Sequence, residues 1–103
     1  MVDLERIAGF DWDAANSANS AKSTDKHEVS SIEAEQVFTN EPLLVVADPK
    51  HSATEPRWHA LGKTHAGRSL CVTFTLRFDG TRIRVSSARD VHRKERRRYE
   101  QET

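Results

Sequence analysis

The sequence predicts an α+β domain: a small antiparallel four-stranded sheet with two N-terminal helices and a C-terminal helix. Three observations carry this. Apolar residues recur at helical spacing between residues 30 and 39. They alternate with polar residues between 70 and 77, the period of a half-buried strand. Asp79-Gly80 then joins that strand to another apolar alternation at Ile83 and Val85, a strong hairpin signal. At 103 residues, with 36% hydrophobic and 31% charged, the chain suits one domain, 1–103, with a modest core.

From the N-terminus, Phe10 and Trp12 alternate with Asp11 and Asp13, which reads as a short edge strand. Asp13 is a good N-cap for the stretch that follows, AANSANSAKSTDKH. That stretch suits a helix but has almost no apolar stripe, so the first helix is weak and exposed. The second helix is better specified. Ser30 or Ser31 caps it, Glu33 falls in its first turn, and Ile32, Val37 and Phe38 give helical spacing. It ends before Asn40-Glu41-Pro42, because proline disfavours helix in the residue preceding it.

Leu43 to Ala47 is then a short valine-rich strand, and Asp48 to Ser52 a loop. Arg57 to Gly62 is the second strand, and Lys63 to Ser69, with Gly67, turns the chain. Leu70 to Arg77 is the clearest strand, with Leu70, Val72, Phe74 and Leu76 on one face. After the hairpin, Ser87 caps a final helix with Asp90 at its third position. The order is ααββββα, with the helices packed on one face of the sheet.

Charge is divided along the chain. Residues 1–56 hold four Lys/Arg against eleven Asp/Glu, and residues 57–103 hold twelve against five. The formal net charge of zero therefore conceals an acidic first half and a basic second half. Six of the ten residues from Arg89 to Arg98 are Arg or Lys, the electrostatic footprint of a polyanion-binding surface. On a helix starting at Ala88, Arg89, Arg93 and Arg96 share a face, while Val91 and Tyr99 turn toward the sheet. Arg84 and Arg89 would then converge where strand becomes helix, near the hydroxyls of Ser86 and Ser87 and the free N–H groups of the helix start. Those are the parts of a phosphate site. The plainer alternative is that Arg84 pairs with a carboxylate across the sheet and the helix stripe is simply solvated.

Several classes are excluded. One cysteine, Cys71, rules out an intrachain disulfide and fits a reducing compartment. No apolar run approaches the roughly 20 residues needed to span a bilayer. The N-terminus lacks the pattern of a secretory signal. His51, His59, His65 and His92 do not have zinc-ligand spacing with Cys71, so no metal site and no cofactor are expected. Trp12 and Trp58 are read as core aromatics rather than as platforms on which bases stack.

The run Ile83-Arg84-Val85-Ser86-Ser87-Ala88-Arg89, followed by Glu95-Arg96-Arg97-Arg98-Tyr99-Glu100, closely resembles the signature of the BrnT toxins, I-R-I/V-I/V-S-A-R and then E-R-R-x-Y-E. Phe10-Asp11-Trp12-Asp13 resembles that family's opening F-x-W-D, and Lys26-His27 with Val29-Ser30 its K-H-G-V-S. Asp48-Pro49 with His51-Ser52 resembles D-P-x-H-S, and Glu55, Arg57, Trp58 and Gly62 its E-x-R-F/W…G. Glu28 departs from the pattern, standing where glycine is expected, as does Ser31, standing where phenylalanine is.

The resemblance implies a RelE-like fold and the toxin half of a bacterial type II toxin–antitoxin pair. It implies a metal-independent RNA endonuclease that inhibits translation from the cytoplasm. It also implies a cognate antitoxin encoded nearby, BrnA-like and DNA-binding, in a toxin–antitoxin hetero-oligomer. In such an enzyme the RNA's own 2′-hydroxyl attacks the adjacent phosphorus, which calls for a base, an acid and cations on the phosphoryl oxygens. Arg57, Arg84 and Arg89 are the candidates for the cations. Lys26 and His27 are the candidates for proton transfer. Glu55 either serves as a base or holds an arginine, and Ser87 either bonds the phosphate or caps the helix. Arg93, Arg96 and Arg97 would bind RNA. The alternative is a non-catalytic module on the same fold that holds RNA or a protein partner.

Overall fold

A computed structural model describes residues 4–11, 29–48 and 56–103. After a 3-10 turn at Leu4–Arg6, the elements are β1 (Gly9–Phe10), α1 (Ser31–Thr39), β2 (Leu44–Ala47), β3 (Trp58–Lys63), β4 (Ser69–Arg77), β5 (Arg82–Asp90) and α2 (Arg93–Glu102). The strands form one sheet in the order β1-β5-β4-β3-β2.

This corrects the expected architecture in three ways. The sheet is mixed and five-stranded, because β1 pairs parallel to β5, Phe10 facing Ile83. Backbone bonds from Ala8 to Thr81 (2.7 Å) and from Asp11 to Ile83 (2.9 Å) extend that pairing. The short edge strand expected from Phe10 onward is present at Gly9–Phe10, but its partner lies more than 70 residues away in sequence, so nothing local shows that it extends this sheet in parallel. Second, one α-helix rather than two precedes the antiparallel strands among the described residues; the segment expected to form the first helix, 14–27, lies outside them. Third, the two helices lie on opposite faces of the sheet. Ala34 and Val37 of α1 pack with Ala60, Val72 and Phe74, whereas Tyr99 of α2 packs with Leu61 and Cys71, the strand positions in between.

α1 begins as its sequence predicts. The Ser30 hydroxyl accepts from the Glu33 N–H (3.2 Å) and the Glu33 carboxylate accepts from the Ser30 N–H (3.1 Å), a reciprocal cap. Gly62 lets this helix sit close over β3: a Cβ there would lie 3.1 Å from Val37 Cγ1 and 3.3 Å from the Val37 carbonyl oxygen. The centre of the core is Phe74. It meets Phe38 edge-on at 5.1 Å between ring centroids and stacks on Trp58 at 6.0 Å.

On the second face the Tyr99 hydroxyl donates to the Pro42 carbonyl at 2.6 Å, tying α2 to the segment that leads into β2. Arg68 grips both carboxylate oxygens of Asp90 (2.8 and 3.1 Å) and one of Glu33 (3.3 Å), linking the end of β5 to the start of α1. Among the described residues no helix is long and apolar enough to cross a membrane.

Phe74→Ala removes a fully buried ring from between two aromatic neighbours. It is expected to cost about 3–5 kcal/mol in a urea titration, whereas Ile32→Ser, at a position 67% exposed, is expected to move stability by less than about 0.5 kcal/mol.

Candidate active site

β5 is the strand that builds the site. Thr73 of β4 lies opposite Ser87, and the next residue, Phe74, lies opposite Val85, so Ser86 is an extra residue in the ladder. This bulge resets the alternation of side chains. Ile83 and Val85 point into the core before it and Ala88 after it. Arg84, Ser87 and Arg89 therefore share the other face of the sheet.

The same face gathers alternate residues from the neighbouring strands. Arg57 precedes β3, and its carbonyl accepts from the Asp48 N–H at 2.8 Å, so the pairing runs on past the strand end. Trp58 turns into the core, which places Arg57 and His59 on the opposite side. On β4, Thr73 lies between His59 and Ser87, and Thr75 lies beside Arg84. Arg57, Arg84 and Ser87 are half-buried, while Thr73 and Thr75 are buried. The result is a threonine floor with longer arginine and histidine side chains, and the Ser87 hydroxyl, along its sides. Arg57 and Arg84 stand on strands separated by one strand, roughly 10 Å apart at their backbones. Two long guanidinium side chains span that gap and can meet the oxygens of one phosphodiester.

His59 is a functional candidate that the sequence reading passed over. Its Nε2 lies 3.0 Å from Asp48 Oδ2 and its Nδ1 2.8 Å from Thr73 Oγ1. Cys71 Sγ is 3.8 Å from the same Nδ1. An open pocket of about 280 Å³ adjoins the pair, lined by Val46, Asp48, His59, Leu61, Glu95 and Arg98. A lone histidine has no spacing signature, but alternation from Trp58 was enough to place it on the face of Arg57.

Arg89 is not where a helix start would put it. β5 continues to Asp90 and α2 begins at Arg93, so Ser87 does not cap the helix and Arg89 is not in its first turn. The bulge is the physical reason: it breaks the period of two at Ser86, which in sequence reads as the end of the strand. The Arg89 guanidinium instead donates two bonds, each 2.8 Å, to Glu95. Glu95 Oε1 also accepts from the His92 N–H at 2.9 Å, holding the start of α2. Burial pushes the Glu95 carboxyl up, but the bonds from Arg89 and the His92 backbone outweigh this and hold it at about 2. Burial, with Glu95 nearby, pushes the Cys71 thiol up to about 12, so it stays protonated at neutral pH. Arg93, Arg96 and Arg97 are exposed on α2, with Lys94 and Arg98 beside them. Trp12, Lys26, His27 and Glu55 lie outside the described residues.

The model of one protein family, the ribonuclease toxin BrnT of type II toxin–antitoxin systems, matches residues 12–95. The chain belongs to this family. A search of curated proteins gives no match. A BrnT toxin has an antitoxin as its partner, and the matched segment contains the whole sheet face described above.

The clamp between Arg89 and Glu95 gives a pH signature. A carboxyl held below its unfolded value of 4.5 stabilises the fold above that pH and loses its contribution as the pH falls toward 2. Glu95→Gln is expected to lower stability at pH 7 by on the order of 2 kcal/mol. In urea titrations from pH 7 to pH 3, the gap between variant and parent should shrink on acidification.

Proposed function

We propose that this BrnT protein is a metal-independent RNA endonuclease that stops translation by cutting RNA internally. The observation that carries the proposal is the pair of arginines, Arg57 and Arg84, at backbone positions that flank β4 on one face of the sheet: Arg84 pairs with Thr75, and Arg57 precedes Trp58, which pairs with Phe74. Attack of a 2′-hydroxyl on phosphorus places negative charge on the two non-bridging oxygens. Two fixed planar cations stabilise that charge without a metal. The Ser87 hydroxyl, one row along β5, supplies a further hydrogen bond to a phosphate oxygen. Arg93, Arg96 and Arg97 on α2 extend the cationic track for the flanking phosphates. Arg89 belongs to the scaffold in this reading: its bidentate bond to Glu95 positions α2 beside the floor. Lys26, His27 and Glu55 retain the roles that family membership suggests for them, proton transfer for the first two and base or arginine partner for the third. The antitoxin, BrnA-like and DNA-binding, would silence the enzyme by covering the floor and the α2 cations together.

The test is incubation of labelled RNA with the protein and excess chelator, both free and in a translating extract. Fragments are expected from the parent protein. Arg84→Ala should be slower by about 10²–10³-fold, the cost of one oxyanion donor, at an unchanged melting temperature. Intact RNA under both conditions would contradict the proposal. The α2 track has its own measure. Replacing Arg93, Arg96 and Arg97 together should flatten the slope of log affinity against log salt for single-stranded RNA by about 2.

A further inference from the structure

His59 is the one imidazole among the described residues that stands on the arginine face with both ring nitrogens engaged. Its two partners differ in kind. Asp48 is a carboxylate, an acceptor only, so the nitrogen facing it, Nε2, carries the proton. Nδ1 then holds a lone pair, and the Thr73 hydroxyl donates to it. A carboxylate that fixes the tautomer of a histidine, whose other nitrogen receives a hydroxyl proton, is the geometry of an assembled general base. Exposure fits the same division of labour. The Asp48 side chain is 10% exposed and covered, whereas the His59 ring, at 26%, reaches the open pocket beside it.

We propose that His59, oriented by Asp48, is a proton-transfer residue for RNA cleavage on this face. The assignment rests on the ribonuclease reading above. His59 stands two residues from Arg57 along β3, about 7 Å at the backbone, within reach of the ribose attached to a phosphate held between Arg57 and Arg84. The Thr73 hydroxyl keeps its bond to Nδ1 and relays the proton. The 2′-O–H bond breaks, its proton passes to Thr73 Oγ1, and the Thr73 hydroxyl proton passes to Nδ1. The 2′-oxygen forms its bond to phosphorus and the bond from phosphorus to the 5′-oxygen breaks. The departing oxygen takes a proton from water, and the imidazolium neutralises the hydroxide left behind. The products are a 2′,3′-cyclic phosphate and a 5′-hydroxyl, with nothing oxidised or reduced.

The groups that face His59 set the balance of charge around it. Asp48 touches the ring directly, 3.0 Å from Nε2. Glu95 adds negative charge and Arg98 positive charge from α2 across the pocket. Arg57 adds positive charge from its own strand, and Cys71 on β4 is a neutral thiol. Among the described residues Asp48 is the carboxylate in contact with the ring.

The experiment compares the parent protein with His59→Gln, His59→Ala and Asp48→Asn on labelled RNA, free and in a translating extract, across about pH 5 to 9. Glutamine keeps a donor for Asp48 but cannot take a proton, so folding is preserved and checked by thermal melting. The parent should give cyclic phosphate ends with an acidic limb in its pH–rate profile. Both His59 variants should be slower by about 10²–10⁴-fold and lack that limb. Added imidazole should restore part of the rate to His59→Ala but not to Asp48→Asn, which should be slower than the parent while still folded. A folded His59→Gln protein that cleaves at the parent rate with the parent profile overturns the assignment and leaves the ribonuclease reading standing. A parent protein that yields no cyclic phosphate under either condition overturns both.

Discussion

One extra residue in β5 holds the structure and its chemistry to the same register. Ser86 faces no single partner on β4, and the side chains on either side of it are out of phase by one position. Because of that shift Ile83, Val85 and Ala88 all reach the core, while Arg84 and Ser87 emerge together on the other face. Strict alternation would have placed Arg84 and Ser87 on opposite sides. A slip of one residue without the bulge would bury a guanidinium, a far larger penalty than any single core contact returns. The apolar pattern that stabilises the sheet is therefore what fixes the arrangement of cations above it.

The second face is divided along its length. At one end Leu61, Cys71 and Tyr99 form a small apolar cluster that α2 covers. At the other end Thr73 and Thr75 lie beneath Arg57, His59, Arg84 and Ser87, and the helix stops short of them. Two anchors hold α2 in this position, the Tyr99 hydroxyl on Pro42 and the Arg89 guanidinium on Glu95. The charge asymmetry of the sequence is resolved in the same way. Arg68 and Arg89 are matched internally by Asp90, Glu33 and Glu95, while the run from Arg93 to Arg98 turns its cations outward.

The sequence was legible where a signal is local. The α1 cap, the alternation of β4 and the Asp79-Gly80 turn each depend on residues a few positions apart, and each is found as read. Tyr99 packs on the sheet from α2, and Val91 packs beside it from the segment between β5 and that helix, not from the helix expected there. What was not legible depends on non-local pairing. The bulge hid the last third of β5, so Ser87 was read as a cap and Arg89 as a helical residue. β1 is two residues long and pairs across nearly the whole chain. The apolar character of Leu61 and Cys71, on the face opposite α1, was the available sign that a helix lies on each side. His59 became a candidate only once Asp48 and Thr73 were seen on its two nitrogens.

In the proposed function the scissile phosphate of RNA lies over the sheet face at Thr75, between Arg57 and Arg84. The most direct test is a crystal structure of the protein with a short RNA whose cleavage is blocked by a 2′-O-methyl group. One phosphate is expected within hydrogen-bond distance of both guanidiniums, with its ribose toward His59. RNA bound only along the outer side of α2, or on the face covered by α1, would contradict it.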